Sequence, residues 1–197
     1  MAPEASAVKM SNPGVVGLAG FAMSTFLLQM VNLGWMGMGP IIWICFFFGG
    51  MVELIAGFLE FRTGNNFGFC IFTGFGSFWI VLGFILLVGP NTPMGQAYPN
   101  LAVGTTGVPW FLLGYSLFAY MFFIPSLKAH TVLALIILCL ATGLLFLALD
   151  GFFGLAGIKV LGILILIGAA VFAWYLMCHV IFADFGIKLP LGPPWLK

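Results

Sequence analysis

Apolar residues run along this chain in six long blocks, at about 14–34, 40–60, 67–89, 108–127, 129–149 and 157–182, with polar residues, Gly and Pro gathered between them. Within each block the apolar residues are continuous rather than alternating, and each block approaches the roughly 20 residues that a helix needs to cross the hydrocarbon of a bilayer. A helix satisfies every backbone N–H and C=O within one segment, whereas a membrane barrel would show alternating strands of about ten residues. The pattern predicts an all-α integral membrane protein with six transmembrane helices in a single bundle, residues 1–197 forming one membrane domain. The first block is longer than the apolar core of a signal peptide and follows neither a basic leader nor an evident cleavage site, so it is expected to stay as the first helix.

Composition sharpens this picture. A chain that is 63% hydrophobic and 6% charged, with a mean hydropathy of +1.22, cannot cover a water-facing globule with polar surface, and lipid is its expected solvent. Lys9, Arg62, Lys128, Lys188 and Lys197 fall on the side shared by both termini, and Lys159 alone falls opposite. Basic residues concentrate on the cytoplasmic side, so both termini are expected there, with the plasma membrane as the location. A net charge of +1 offers no electrostatic footprint for nucleic acid, and none is expected as a partner. Cys45, Cys70, Cys139 and Cys178 lie inside predicted spans and act as small apolar residues. No spacing of His and Cys suits a metal, and no cofactor is implied.

Between the blocks, 90–107 reads as an external loop, 150–157 as a tight turn, and Leu189-Pro190-Leu191-Gly192-Pro193-Pro194-Trp195 as a non-helical tail with Trp195 at the interface. Glycines recur at helical spacing, as Gly50 and Gly57, Gly76 and Gly83, Gly162 and Gly168, which suits close helix packing within a subunit or between subunits.

The polar residues inside the blocks are few, and each is a candidate. Glu53 is a carboxylate well inside an apolar run. Burying a charge there costs about 2.5 kcal/mol or more on insertion scales, so it should face a cavity, carry a proton or be paired. At roughly 100° per residue, Phe21, Thr25, Leu28 and Asn32 share an arc of about 60° on the first helix, with Gln29 at its edge. Thr25 and Asn32 can donate hydrogen bonds to a carboxylate without the desolvation cost of a fixed charge; interhelical hydrogen bonding explains them equally well. Glu60 and Arg62 stand at the end of the second helix, as entrance charges or as an interfacial pair. Lys128 and His130 sit at a turn and His179 near a helix end, where histidine can shuttle protons but is ordinarily an interfacial residue.

Four tracts resemble those of one known family. Asn12-Pro13-Gly14-Val15-Val16-Gly17-Leu18 resembles the Asn-Pro-Ala-Pro-Leu-Gly-Leu tract of the acetate uptake transporters, the succinate-acetate permeases, with Gly14, Val15 and Val16 replacing Ala-Pro-Leu. Gly49-Gly50-Met51-Val52-Glu53-Leu54-Ile55-Ala56-Gly57 resembles the family's Gly-Gly-x-x-Gln-x-x-Ala-Gly, with Glu53 in place of Gln. Gly64-Asn65-Asn66-Phe67-Gly68 and Gly74-Phe75-Gly76-Ser77-Phe78-Trp79 resemble Gly-Asn-Thr-Phe-Gly and Ser-Tyr-Gly-x-Phe-Trp, with Asn66 for Thr, Gly74 for Ser and Phe75 for Tyr.

The resemblance implies a hexamer of subunits, each with its own pore for acetate and related short carboxylates, succinate included, and passage linked to protons. It further implies that Phe21, Phe75 and Leu140 form a hydrophobic constriction. Asn12, Thr25, Gln29, Asn32, Glu53 and Thr73 make up the expected substrate pathway, and the protein is not expected to be an enzyme. Alternatives are a channel for small neutral solutes such as urea or water, and a structural or sensory membrane protein that moves nothing. A membrane enzyme would need acid-base groups within reach of one another, and the intramembrane inventory is too sparse to provide them.

Overall fold

The computed structural model describes residues 11–104 and 106–197, and every regular element among them is helical. Lys9, one of the basic residues used to orient the chain, lies outside the described residues. The elements are α1 (Gly14–Asn32), α2 (Met38–Phe46), a π-helical segment (Phe47–Val52), α3 (Glu53–Thr63), α4 (Asn66–Leu87), α5 (Pro93–Ala97), α6 (Gly107–Ser126), α7 (Thr131–Phe153) and α8 (Ala156–Ala183). The helix α2, the π-helical segment and α3 run on as one span, so the protein crosses the bilayer with six spans of 19 to 28 residues.

Side chains and glycines set the ends of these helices. Asn65 accepts a hydrogen bond from the Gly68 N–H at 3.1 Å and caps α4, and His130 Nδ1 accepts from the Leu133 N–H at 3.1 Å and caps α7. Each supplies an acceptor to one of the donors that a helix start leaves unpaired. At the other ends of α3 and α7, Gly64 and Gly154 adopt φ of 77° and 67°, a left-handed conformation that a Cβ would oppose. The loop expected at 90–107 contains α5, begun by Pro93 and capped by Thr92 Oγ1, which accepts from the Gly95 N–H at 3.0 Å. Pro suits a helix start, because its missing N–H would have no partner there.

The spans form a closed ring in chain order. α1 packs against the second span, the second span against α4, α4 against α6, α6 against α7, α7 against α8, and α8 back against α1. The α4–α6 seam is filled by large rings, Phe75 against Phe118 and Phe78 stacked on Phe111 at 5.0 Å between centroids. At the α1 seam the backbones come close: a Cβ on Gly20 would lie 2.5 Å from the Phe48 carbonyl oxygen of the π-helical segment. Of the glycines read as packing residues, Gly57 faces Thr73, Gly76 faces the Leu54 backbone and Gly162 faces Phe146, whereas Gly168 has open space in front of it. The outer surface is apolar, with Trp43, Phe58, Phe61, Met121 and Ile124 exposed, as contact with lipid allows.

The tail after α8 is non-helical and is pinned across the ends of α7 and α8. The Leu191 carbonyl accepts from the Val132 N–H at 3.1 Å, Thr131 Oγ1 donates to the Pro193 carbonyl at 2.7 Å, and Tyr175 Oη donates to the Pro190 carbonyl at 2.7 Å. Trp195 is half-exposed, packs its ring edge-on to Phe123 and donates from Nε1 to Thr131 Oγ1 at 3.1 Å.

Candidate functional site

At the end of the ring where α1, α4 and α7 begin and α3 and α8 finish, a cavity of about 360 Å³ lies between the helices. Most of its wall is apolar, supplied by residues such as Leu18, Ile71, Leu133 and Ile137. A few polar side chains converge on it: Asn12, Glu53, Glu60, Asn65, His130 and His179. An apolar hollow of this size with sparse polar groups is the usual form of a small-molecule site.

The two carboxyl groups come from one helix face. Glu53 and Glu60 are seven residues apart, two turns of α3, and both are buried. Glu60 accepts hydrogen bonds from Asn65 Nδ2 at 2.8 Å and Thr63 Oγ1 at 3.3 Å. Both partners are neutral. Arg62, two residues further and roughly 200° around the helix, is exposed, so the structure gives no Glu60–Arg62 pair and keeps Arg62 off the cavity wall. Glu53 follows directly on the π-helical segment, and its Oε2 has no hydrogen-bond partner. An unpartnered buried carboxyl is costly, and a proton, a water or a substrate group must satisfy it.

Deeper in the ring the cavity ends on three side chains. Phe21 from α1, Phe75 from α4 and Leu140 from α7 line both this cavity and a second void of about 20 Å³ beyond it, and they are the residues common to the two. Such a void has room for about one water molecule. The Phe21 and Phe75 rings meet edge to face at 6.4 Å. Phe75 is further held by Phe78, Tyr115 and Phe118, with centroids 5.7 to 5.9 Å away.

Beyond these rings the small void is lined by Thr25, Gln29, Phe78 and Trp79 among others. Gln29 Nε2 donates to the Thr25 carbonyl at 3.3 Å, and Asn32 Nδ2 donates to Gln29 Oε1 at 2.9 Å. Asn32 thus orients Gln29 and does not itself line either void. The hydroxyls of Ser24 and Thr25 and the Trp79 Nε1 are buried without a partner. Thr73 is turned to its own helix, donating to the Phe69 carbonyl at 2.7 Å, and packs on Gly57. It stands apart from the cavity that gathers Asn12, Glu53 and Glu60.

Residues 1–187 match the sequence model of a single protein family. The chain belongs to the GPR1/FUN34/yaaH family. Among members of this family, the chain is 35% identical to the succinate-acetate/proton symporter SatP of Escherichia coli K12, over 93% of its own length and 96% of that protein. It is 31% identical to acetate permease A of Emericella nidulans, over 76% of its length and 49% of the relative, and 31% identical to ammonia transport outward protein 2 of Saccharomyces cerevisiae, over 85% and 60%. The solved structure of the bacterial acetate channel SatP superposes with a TM-score of 0.85 at 33% identity, covering 93% of this chain and all of that one. The family resemblance seen in the sequence tracts and the six-span fold are both upheld.

This GPR1/FUN34/yaaH member brings to its cavity three residues that sequence reasoning did not select. Asn65 was visible only as part of a tract, although an Asn directly before an apolar run is an N-cap signal. His130 and His179 read as interfacial helix-end residues, and nothing in their spacing of 49 positions announces that one cavity holds both. Only the closing of the ring of helices brings the start of α7 beside the end of α8.

Proposed function

We propose that this protein is a permease or channel that carries acetate and related short carboxylates, succinate included, across the plasma membrane, linked to protons and without chemical conversion of the solute. The observation that carries the reading is the pair of voids separated by Phe21, Phe75 and Leu140. An apolar constriction dewets and blocks hydrated ions, while a small acid that has shed most of its water can pass. Asn12, Glu53 and Glu60 receive the solute on one side, and Thr25 and Gln29, oriented by Asn32, receive it on the other. The names of the bacterial and fungal relatives support acetate as the substrate class.

Glu53 is the proton site we favour, because it is buried on the cavity wall with one unpartnered oxygen. The whole chain acts as one membrane domain, with the cavity on the cytoplasmic side together with both termini, Arg62, Lys128, Lys188 and Lys197. We take the subunit to assemble as a hexamer with one pathway per subunit.

The deciding experiment is uptake of labelled acetate into liposomes containing the purified protein, with and without an inward proton gradient, for the natural chain and Glu53→Gln. Accumulation driven by the gradient and lost in Glu53→Gln supports proton-linked transport through Glu53. Equilibration indifferent to both gives a channel with a structural Glu53. No acetate flux above empty liposomes overturns the carboxylate reading; flux of ammonia instead would align the chain with its yeast relatives.

A further inference from the structure

The cavity wall carries two carboxyl groups, Glu53 and Glu60, and among the described residues that line it there is no lysine or arginine. An anion entering such a space meets no fixed positive charge among these residues. Among the described residues of the wall, the only side chains able to become positive are His130 and His179. His179 also borders the groove of about 900 Å³ outside the cavity, as does Asn12, so both stand at the passage between groove and cavity.

The backbone fixes the two imidazoles in opposite tautomers. His130 Nδ1 accepts the Leu133 N–H at 3.1 Å, which puts its ring hydrogen on Nε2. His179 Nδ1 lies 2.6 Å from the Leu189 carbonyl oxygen. That oxygen can only accept, so Nδ1 carries the hydrogen and the His179 lone pair is on Nε2. A proton added to His130 must go to Nδ1, where it faces the Leu133 N–H and breaks the cap of α7. A proton added to His179 goes to Nε2 and leaves every hydrogen bond in place. Burial, and then the neighbouring His179, hold His130 below its ordinary 6.5.

We propose that His179 takes a proton on Nε2 while His130 stays neutral, and that their two Nε2–H groups form a docking site for the carboxylate of the substrate at the cavity entrance. The proposal rests on the reading of this chain as a carboxylate permease. The imidazolium supplies the positive charge that the described wall otherwise lacks, and the start of α7 adds its favourable dipole end for an anion. Other titratable groups on the surrounding described elements include Tyr175 and Cys178 on α8, Asp184 just beyond it, Cys139 on α7, Cys70 on α4, Arg62 on α3, Lys128 in the α6–α7 turn and Lys188 in the tail. Tyr175 is engaged with the Pro190 carbonyl, and Asp184, Lys128 and Lys188 are exposed to screening by water and salt. The tail that pins His179 through Leu189 also places Leu191 on the cavity wall, so it sets the position of the ring as well as closing the space.

The test is the pH dependence of the acetate KM in liposomes with equal pH on both faces, between about pH 8 and 5, where imidazoles titrate. Uptake of one proton with the anion makes KM fall roughly tenfold per pH unit on the alkaline side of the titration. His179→Asn retains an amide to donate to Leu189 and should lose that slope. His130→Asn retains a cap for α7 and should keep the slope with KM raised at every pH. An unchanged slope in His179→Asn overturns the proposal. A second measurement reads the imidazoles of the unmodified protein by NMR during titration with sodium acetate and, separately, sodium chloride. An upward move of the His179 midpoint with acetate alone supports the site, and unmoved midpoints overturn it, whether or not a variant folds. Absence of acetate flux from the natural protein counts against the function itself, while the NMR titration still decides the docking site.

Discussion

Phe21 and Phe75 meet edge to face across the axis of the helix ring, with centroids 6.4 Å apart and planes inclined at 74°. The two rings come from α1 and α4, which are not neighbours in the ring and touch only lightly elsewhere, so this contact reaches past the second span that separates them. Leu140 fills the remaining side, and all three are buried. The edge-to-face arrangement is a favoured geometry for aromatic pairs and fixes both rings in place.

Replacing Phe75 with Ala should join the two voids. Removing a buried Phe costs about 3–5 kcal/mol of packing, yet enough of the ring of helices remains for the protein to be purified and compared. Larger carboxylates should gain on acetate by roughly tenfold, the scale at which an apolar pocket discriminates by size. Competition between labelled acetate and a series of longer monocarboxylates in liposomes checks this; an unchanged preference order would exclude Phe75 from the selective step.

Gly20 and Gly168 should respond oppositely to the same substitution. Gly20→Ala sets a methyl 2.5 Å from the Phe48 carbonyl oxygen, so α1 must move off the π-helical segment, at a cost of about 1–3 kcal/mol. Gly168→Ala meets open space on α8 and should stabilise by about 0.5–1 kcal/mol through helix propensity. Thermal unfolding in detergent of the two variants beside the natural chain decides the matter.

Asn65 serves two neighbours at once. Its Oδ1 caps α4 and its Nδ2 donates to Glu60. Asn65→Ala should cost about 1 kcal/mol for the cap and weaken acetate binding by leaving Glu60 less constrained on the cavity wall. Asn65→Ser keeps a capping oxygen for α4 while removing the amide donor to Glu60, so stability should recover and binding should not.

His130 gives stability a pH dependence of defined sign. Its folded value is depressed below 6.5 by burial and then by His179, so the stabilising neutral form is complete above 6.5 and is lost as pH falls through the lower, folded value. Unfolding temperature should therefore decline on acidification from 6.5 down to that lower value and level off beneath it. His130→Asn, which caps α7 without titrating, should flatten this part of the decline; an identical decline would assign it elsewhere.

Much of this protein was legible before folding. Six apolar blocks, unbroken by alternation, can satisfy their backbones in lipid only as helices, and the tracts around Asn12, Glu53, Asn65 and Phe75 carry the family resemblance. Glu53 stood out because a carboxylate inside an apolar run needs a reason. The interruption of the second span was less legible: Gly49 and Gly50 mark a place where backbones approach, but nothing in their spacing announces the π-helical turn that precedes Glu53 and packs against α1.

Hydrophobic pattern determined the number of spans and the solvent they face, because those follow from local backbone satisfaction and the free energy of transfer of each segment. Which residues share a void was decided by tertiary structure alone. Thr25 and Asn32 occupy one stripe of α1, yet one lines the inner void while the other orients Gln29. Glu60 and Arg62 are two residues apart, yet one is buried at the cavity and the other faces outward. His130 and His179 belong to different helices and meet at one cavity only because α8 closes the ring against α1 and the tail folds back over α7. Helical periodicity fixes relative angles within one segment, whereas the rotation of each helix about its own axis is set by side chains interlocking with neighbours that the segment does not encode.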